Sequence, residues 1–230
     1  MWSEQELRIL TPILEHIGHE IAPLDDKRIL VLCSAAGDVA FWLAERMTSG
    51  KIVGLELSSD LLALSRARAK EKGLVALVEF RAAEKTYIPF PDNTFDALIS
   101  EFILYPTPLP TDIGQPEMAR VLKPGGAMVL TDVITPQPYP EEVRRALAEV
   151  GLTYLCEATK EDFRQWMAEA GLTAIRVVDL TPYARQAWKW RRDHDPQATS
   201  KQGYRYLLED RRFALGRGLF YIYVTGRKPR

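Results

Sequence analysis

Residues 28–47, RILVLCSAAGDVAFWLAERM, constrain this chain more than any other stretch. Residues 29–33 form an unbroken apolar run rich in branched side chains, as a strand buried on both faces of a parallel sheet reads. Asp38 stands where a helix cap would, and Val39, Leu43 and Met47 follow at helical spacing, with Trp42 and Arg46 beside them, before the turn at Ser49-Gly50. Only Ser34-Ala35-Ala36-Gly37 separates strand from helix. Small side chains there let a ligand approach the backbone, and Gly37 can take a positive φ. In an open α/β sheet the ligand crevice lies outside the carboxyl ends of the strands, where strand order reverses, so this turn is the leading candidate for a binding site.

The next apolar strand, KIVGLEL at residues 51–57, ends with Glu56. An acid about 20 residues beyond a small-residue turn is where nucleotide-binding βαβ units place a ribose-binding carboxylate, because one carboxylate can accept from both hydroxyls of a diol. Three further motifs follow in order. Residues 81–84, RAAE, close a third strand; residues 89–96, PFPDNTFD, are rigid turn chemistry entering a fourth; residues 120–126, RVLKPGG, end a helix and lead into a fifth.

Together these motifs make the chain resemble the class I S-adenosylmethionine-dependent methyltransferases, in particular the small-molecule group that includes the ubiquinone/menaquinone C-methyltransferases. The resemblance spans roughly residues 27–132. Where that family has acidic-x-Gly-x-Gly-x-Gly, this chain has Val31, Cys33, Ala35 and Gly37, and at the adenine-binding aspartate it has Ala82. The resemblance implies a doubly wound α/β fold: a seven-stranded, mostly parallel sheet of order 3-2-1-4-5-7-6, helices on both faces and an antiparallel last strand. It implies S-adenosyl-L-methionine as cofactor, held by Cys33, Ser34, Ala35, Gly37, Glu56, Leu57, Ala82, Ala83, Glu84, Ser100 and Glu101. Backbone amides at Ala83 and Glu84 would read the adenine edge where the aspartate is missing. Ser100, Glu101, Phe102 and Tyr105 would lie beneath the reacting methyl group. Glu101 would bind the amino group of the methionine part or act as a base; the plain alternative is a solvated loop carboxylate.

Composition sets the outer bounds. A chain of 230 residues, 47% hydrophobic and 27% charged, supports one domain with a complete core. Its net charge of −1 without long runs of one sign argues against nucleic acid and against a polybasic membrane anchor. No apolar run reaches the ~18 residues of a membrane span and no leader pattern opens the chain, so a cytoplasmic protein is expected. Two cysteines, Cys33 and Cys156, and three histidines suggest neither a disulfide framework nor a metal site.

The remaining segments complete the reading. Residues 1–26 should be a helical cap, with a Ser3/Glu6 capping box and a break at Pro12 into two short helices; His16 and His19 ride on it as packing or solvated residues, or the segment closes over the cofactor. A helix should run from Ser58 to Lys72, capped at Gly73, with apolar Leu61, Leu64, Ala67 and Ala69 and a solvated group of Arg66, Arg68, Lys70 and Lys72. A third strand should occupy residues 75–80. Thr159 and Asp162 resemble a cap ahead of a Phe163, Trp166, Met167 stripe. The core then occupies residues 27–180, and residues 218–230 form the last strand and tail. Between them, residues 181–217 are an insertion with two readings. Either its aromatics wall an apolar pocket in which His194, tuned upward by Asp193 and Asp195, serves as a base, or it is a helical lid or homodimer surface. The expected reaction is direct displacement onto a small-molecule acceptor, with Glu101, Tyr105 and His194 as the candidate catalytic residues. A non-catalytic cofactor-binding protein is the alternative, motivated by the missing glycines and Ala82; a nicotinamide-dependent oxidoreductase ranks last because Gly-x-Gly-x-x-Gly is absent.

Overall fold

Successive residues of the central strands bury on opposite faces of one sheet, and this alternation produces two cores. The computed structural model describes residues 4–84, 86–100 and 113–230. In chain order the elements are α1 (Glu4–Glu20), β1 (Arg28–Leu32), α2 (Asp38–Ala44), β2 (Lys51–Glu56), α3 (Ser59–Glu71), β3 (Val78–Ala82) and β4 (Phe95–Ser100). There follow α4 (Gln115–Val121), β5 (Leu122–Thr135), α5 (Glu141–Glu149), β6 (Cys156–Glu157), α6 (Lys160–Glu169) and β7 (Thr173–Asp179). The chain closes with α7 (Thr181–His194), a 3-10 turn (Ala198–Ser200), α8 (Gln202–Leu208) and β8 (Phe220–Arg227). The sheet order is β3-β2-β1-β4-β5-β8-β7, with β6 paired to the end of β5. β1 to β5 run parallel, whereas β8 is antiparallel to both β5 and β7. Setting aside the two-residue β6, this is the expected doubly wound order. Ile29 and Val31 face the helical layer of α1, α2, α3, α5, α7 and α8, while Leu30 and Leu32 face α4 and α6.

Two of the motifs lock to each other. Arg120 Nη1 donates to the Phe90 carbonyl at 2.9 Å and to Asp92 Oδ1 at 2.7 Å, so the end of α4 clamps the proline turn. Lys123 bridges to both oxygens of Asp96 at 2.9 Å. Arg120 of RVLKPGG thus holds PFPDNTFD against the start of β5, fixing the β4–β5 pair on which the site stands.

Several local expectations are overturned by long-range packing. α1 does not break at Pro12. It buries Ile9, Leu10, Ile13, Leu14 and Ile17 on one side, and at about 1.5–3 kcal/mol each this outweighs the ~3 kcal/mol an interior proline costs. Ser3, the other half of the expected capping box, lies outside the described residues, and Glu6 is a buried carboxylate that accepts from Arg191 Nε at 2.8 Å. Asp38 does not cap α2: Gly37 takes the cap position with φ 89°, and Asp38 pairs instead with Arg68 at 2.7 Å. Arg68 also donates to the Ala36 carbonyl at 2.5 Å and ties α3 to the first turn, while Arg66 donates to the Phe80 carbonyl at 3.0 Å and stays exposed with Lys70 and Lys72, as the solvated group expected. The buried stripe of α3 is Leu62, Ser65 and Ala69; Leu64 is exposed. β3 begins at Val78, leaving Val75 exposed, and β5 extends back through Lys123-Pro124-Gly125-Gly126 because Leu122 pairs with Phe95 across an irregularity in register.

The insertion is a helical layer. Trp188, Tyr204 and Phe213 are buried in the same core as α1 and α5, and Tyr139 Oη donates to the Phe213 carbonyl at 2.7 Å. Trp188 and Phe213 therefore fill the core, while Tyr204 also borders a polar cavity lined by Arg192, Lys201 and Glu209 in place of the apolar pocket expected.

Candidate functional site

The first turn is held by Glu56. Its Oε2 accepts the Ala35 N–H at 2.8 Å and its Oε1 the Ser58 N–H at 2.9 Å, while Ser34 N–H reaches the Leu55 carbonyl at 3.0 Å. Glu56 is 3% exposed, and two backbone donors replace the water its carboxylate has lost. φ is positive at every second residue, 52° at Cys33, 46° at Ala35 and 89° at Gly37. The side chains at Cys33 and Ala35 thus leave the turn in the left-handed conformation that glycine adopts freely, at a cost of about 1 kcal/mol or more each. Gly37 is required for a second reason: a Cβ there would lie 2.7 Å from both the Phe41 and Phe80 rings, which meet edge to face beneath the turn. Gly54 on β2 leaves room for the same Phe80 ring and for Ser34. Ser34 Oγ is buried and has no hydrogen-bond partner among the described residues.

The other expected cofactor positions border this turn unevenly. Leu57 and Ala83 are half-buried, Ala82 and Glu84 exposed, and Ser100 is buried at the carboxyl end of β4. One expectation needs correction. The Ala83 N–H is spent on the Glu56 carbonyl at 2.9 Å, so only Glu84 of that pair can present its amide to a ligand edge. Glu101, Phe102 and Tyr105 lie outside the described residues.

His194 closes α7. It is stacked on Trp190 at 4.3 Å, with Nδ1 2.8 Å from the Trp190 carbonyl. The carboxylates expected to tune it face elsewhere: Asp193 pairs with Arg192, and Asp195 pairs with Lys201 and accepts from Tyr204 Oη. The sequence neighbours of a helix-end residue point around the helix, not at it.

Beside Ser100 the structure has a cavity of about 340 Å³ that the sequence reading did not foresee. Its apolar walls come from Ile113, Met118, Leu130, Phe163 and Trp166, and its polar groups are Ser100, Gln115, Thr131, Asp132, Tyr154 and Cys156. Ser100 is level with Leu130 on β5, which places Asp132 two residues further toward the carboxyl edge on the same sheet face. Asp132 is half-buried against this cavity, and burial pushes its pKa up to about 7 although it accepts the Val133 N–H at 2.7 Å. Burial also pushes Tyr154 up to about 12 and Cys156 up to about 11, and these two side chains hydrogen-bond each other. A signal for Asp132 existed in MVLTDV: an acid closing an apolar strand of a doubly wound sheet stands at the ligand edge. Nothing local marked Tyr154 or Cys156. Among the described residues no cluster of three or more histidine, cysteine or acidic side chains is placed to hold a metal.

This architecture matches known proteins. A family model described as a methyltransferase domain covers residues 24–171. A 2-phytyl-1,4-naphtoquinone methyltransferase of Synechococcus elongatus is 34% identical over 111 residues, 47% of either chain. A demethylmenaquinone methyltransferase of Thermus thermophilus is 36% identical over 115 residues, 48% of this chain and 49% of that protein. The chain thus spans about half the length of these curated relatives. A geranyl diphosphate C-methyltransferase of Streptomyces coelicolor superposes with a TM-score of 0.73 over 99% of this chain and 85% of its own, at 18% identity, a likeness of fold. With the sheet order, the pinned first turn and a family model spanning most of the core all in agreement, the chain belongs to the methyltransferase-domain family.

Proposed function

We propose that this protein is an S-adenosyl-L-methionine-dependent methyltransferase that acts on a small-molecule acceptor. The observation that carries the reading is the Glu56 carboxylate fastened to the first turn, with lone pairs still open. A carboxylate offers about four acceptor positions, and two are used by Ala35 and Ser58, so two remain for a ribose diol. The unpartnered Ser34 Oγ is a further polar group that a ligand in the turn would satisfy. Leu57, Ala82 and the Glu84 amide would border the adenine, with Cys33, Ala35 and Gly37 beneath the sugar and Ser100 with Glu101 toward the methionine part. The geranyl diphosphate C-methyltransferase of the same fold was solved with S-adenosyl-L-homocysteine, in keeping with this choice.

The cofactor supplies a methyl carbon already activated by its sulfonium, so the chain has chiefly to align two partners and exclude water. The rigid β4–β5 pair and the apolar cavity beside Ser100 serve both needs. Quinone methyltransferases among the relatives favour a ring-bearing acceptor. We further read the chain as one such domain, with residues 1–26 as cap, 27–180 as core, 181–217 as insertion and 218–230 as last strand and tail. No helix among the described residues is long and apolar enough to cross a membrane, and we place the protein in the cytoplasm. Titration calorimetry with S-adenosyl-L-methionine and S-adenosyl-L-homocysteine tests the function. Saturable binding of both is expected, and absence of heat at millimolar ligand with folded protein refutes it.

A further inference from the structure

We propose that Asp132, with Tyr154 and Cys156 beside it, forms the acceptor subsite and takes the proton of an acceptor hydroxyl, so that the molecule methylated is a neutral phenol or enol on an apolar ring. This deepens the methyltransferase reading and rests on it. Three observations carry it.

The first is position. Asp132 stands on the strand next to β4, on the same face as the cavity and just beyond Ser100. The second is the absence of a counter-ion. Glu6, Asp38, Asp96 and Glu117, all buried or half-buried, each meet an arginine or lysine, whereas Asp132 has no cation partner among the described residues and residues 101–112 contain no lysine or arginine. A structural carboxylate would be paired; one left open in an apolar wall is available to a ligand. The third is hydrogen-bond complementarity. Asp132 accepts, while Tyr154 and Cys156 hold their protons, one of which joins the pair and the other of which is left to donate. The group that satisfies both sides donates and accepts at one atom, as a hydroxyl does. An ammonium only donates. Walls of Leu130, Met118, Phe163 and Trp166 suit the flat apolar body that carries it.

The titratable groups facing Asp132 are Tyr154 and Cys156; Asp162 of α6 faces Cys156. The other cavity neighbours from β4, α4 and α6, namely Ser100, Gln115, Phe163 and Trp166, are uncharged. Glu101, Tyr105 and Asp112 lie outside the described residues. In the reaction the acceptor O–H bond breaks, its proton passes to an Asp132 carboxylate oxygen, and the bonding pair stays on the acceptor oxygen or a conjugated ring carbon. That atom bonds the methyl carbon as the carbon–sulfur bond of the donor breaks with its pair on sulfur. Asp132 then returns the proton to water.

The test is fluorescence titration of the whole chain with 1-naphthol between pH 6 and pH 8. Wild-type affinity should rise about tenfold across this range as the carboxylate ionises. Asp132→Asn should bind at least tenfold more weakly at pH 8 with a flat profile, and Tyr154→Phe several-fold more weakly with the wild-type profile. Equal affinity and equal pH dependence in Asp132→Asn overturn the inference. So does tighter Asp132-dependent binding of 1-naphthylmethylammonium, which would make this a cation site. The wild-type pH profile stands by itself should the variant fail to fold. Calorimetry with S-adenosyl-L-methionine on the same samples separates the two readings: cofactor binding without Asp132-dependent naphthol binding removes only the subsite, and the reverse removes the methyltransferase.

Discussion

Replacing Asp132 by asparagine should make the protein more stable at neutral and alkaline pH, and the size of the gain can be worked from its surroundings. Burial raises this carboxyl from its ordinary 3.8 to about 7, so between those values the native state holds a proton that the unfolded chain has lost. Where the native state binds more protons, stability falls as pH rises. At 1.36 kcal/mol per pH unit the full loss is about 4 kcal/mol, complete once pH exceeds about 7. Asparagine is nearly isosteric and never ionises, but its amide keeps its own burial cost and makes a weaker bond to the Val133 N–H, which takes back about 1–2 kcal/mol. The net gain is therefore about 2–3 kcal/mol at pH 8, falling to zero or below near pH 5. The assay is urea denaturation of both proteins from pH 5 to pH 8.5, comparing their difference so that carboxylates shifted the other way, such as Glu117 and Asp96, cancel. A difference that stays constant over this range would refute the reasoning, since it would mean that the carboxylate is no more burdened in the folded protein than in the unfolded chain.

Other outcomes follow from the same geometry. Glu56→Ala should weaken S-adenosyl-L-methionine binding at least tenfold, a loss of ~1.5–3 kcal/mol, and Glu56→Gln less, because the amide oxygen still accepts one backbone N–H; unchanged affinity by calorimetry would remove Glu56 from the site. Ala35→Gly should leave the fold intact and raise the thermal midpoint slightly, since relief of a left-handed alanine at φ 46° exceeds the entropic cost of glycine by at most about 1 kcal/mol. Arg68→Met should destabilise by about 3 kcal/mol in urea because it leaves Asp38 enclosed without its cation, and Asp38→Asn in the same background should recover much of the loss. Arg191→Met and Glu6→Gln should behave alike as a pair joining α7 to α1, non-additive in a double-mutant cycle.

The parts of the fold that were legible are those written in local spacing. The apolar run and turn of residues 28–37, the acid at Glu56, the Ser58 and Thr159/Asp162 caps and the stop at Gly73 each depend on neighbours within one turn or one strand, and each stands where the residues indicated. The strand order came with the family resemblance, which the sheet confirms. Of the candidate site, the bend at residues 34–37 lay in local spacing, whereas the stacking of His194 on Trp190 and the ion pairs of Asp193 and Asp195 did not.

What only the tertiary structure decided are interactions between distant segments. The sequence by itself determined a nucleotide-type βαβ unit and the residues able to cap and turn it, because those signals repeat at fixed short intervals. It could not show that Pro12 would be carried inside a helix, that Glu6 would meet Arg191 across 185 positions, or that Asp132, Tyr154 and Cys156 would share one cavity with no cation partner among the described residues. Those outcomes depend on which apolar faces bury together and on what each burial does to the charges it encloses, and no periodicity along the chain records that.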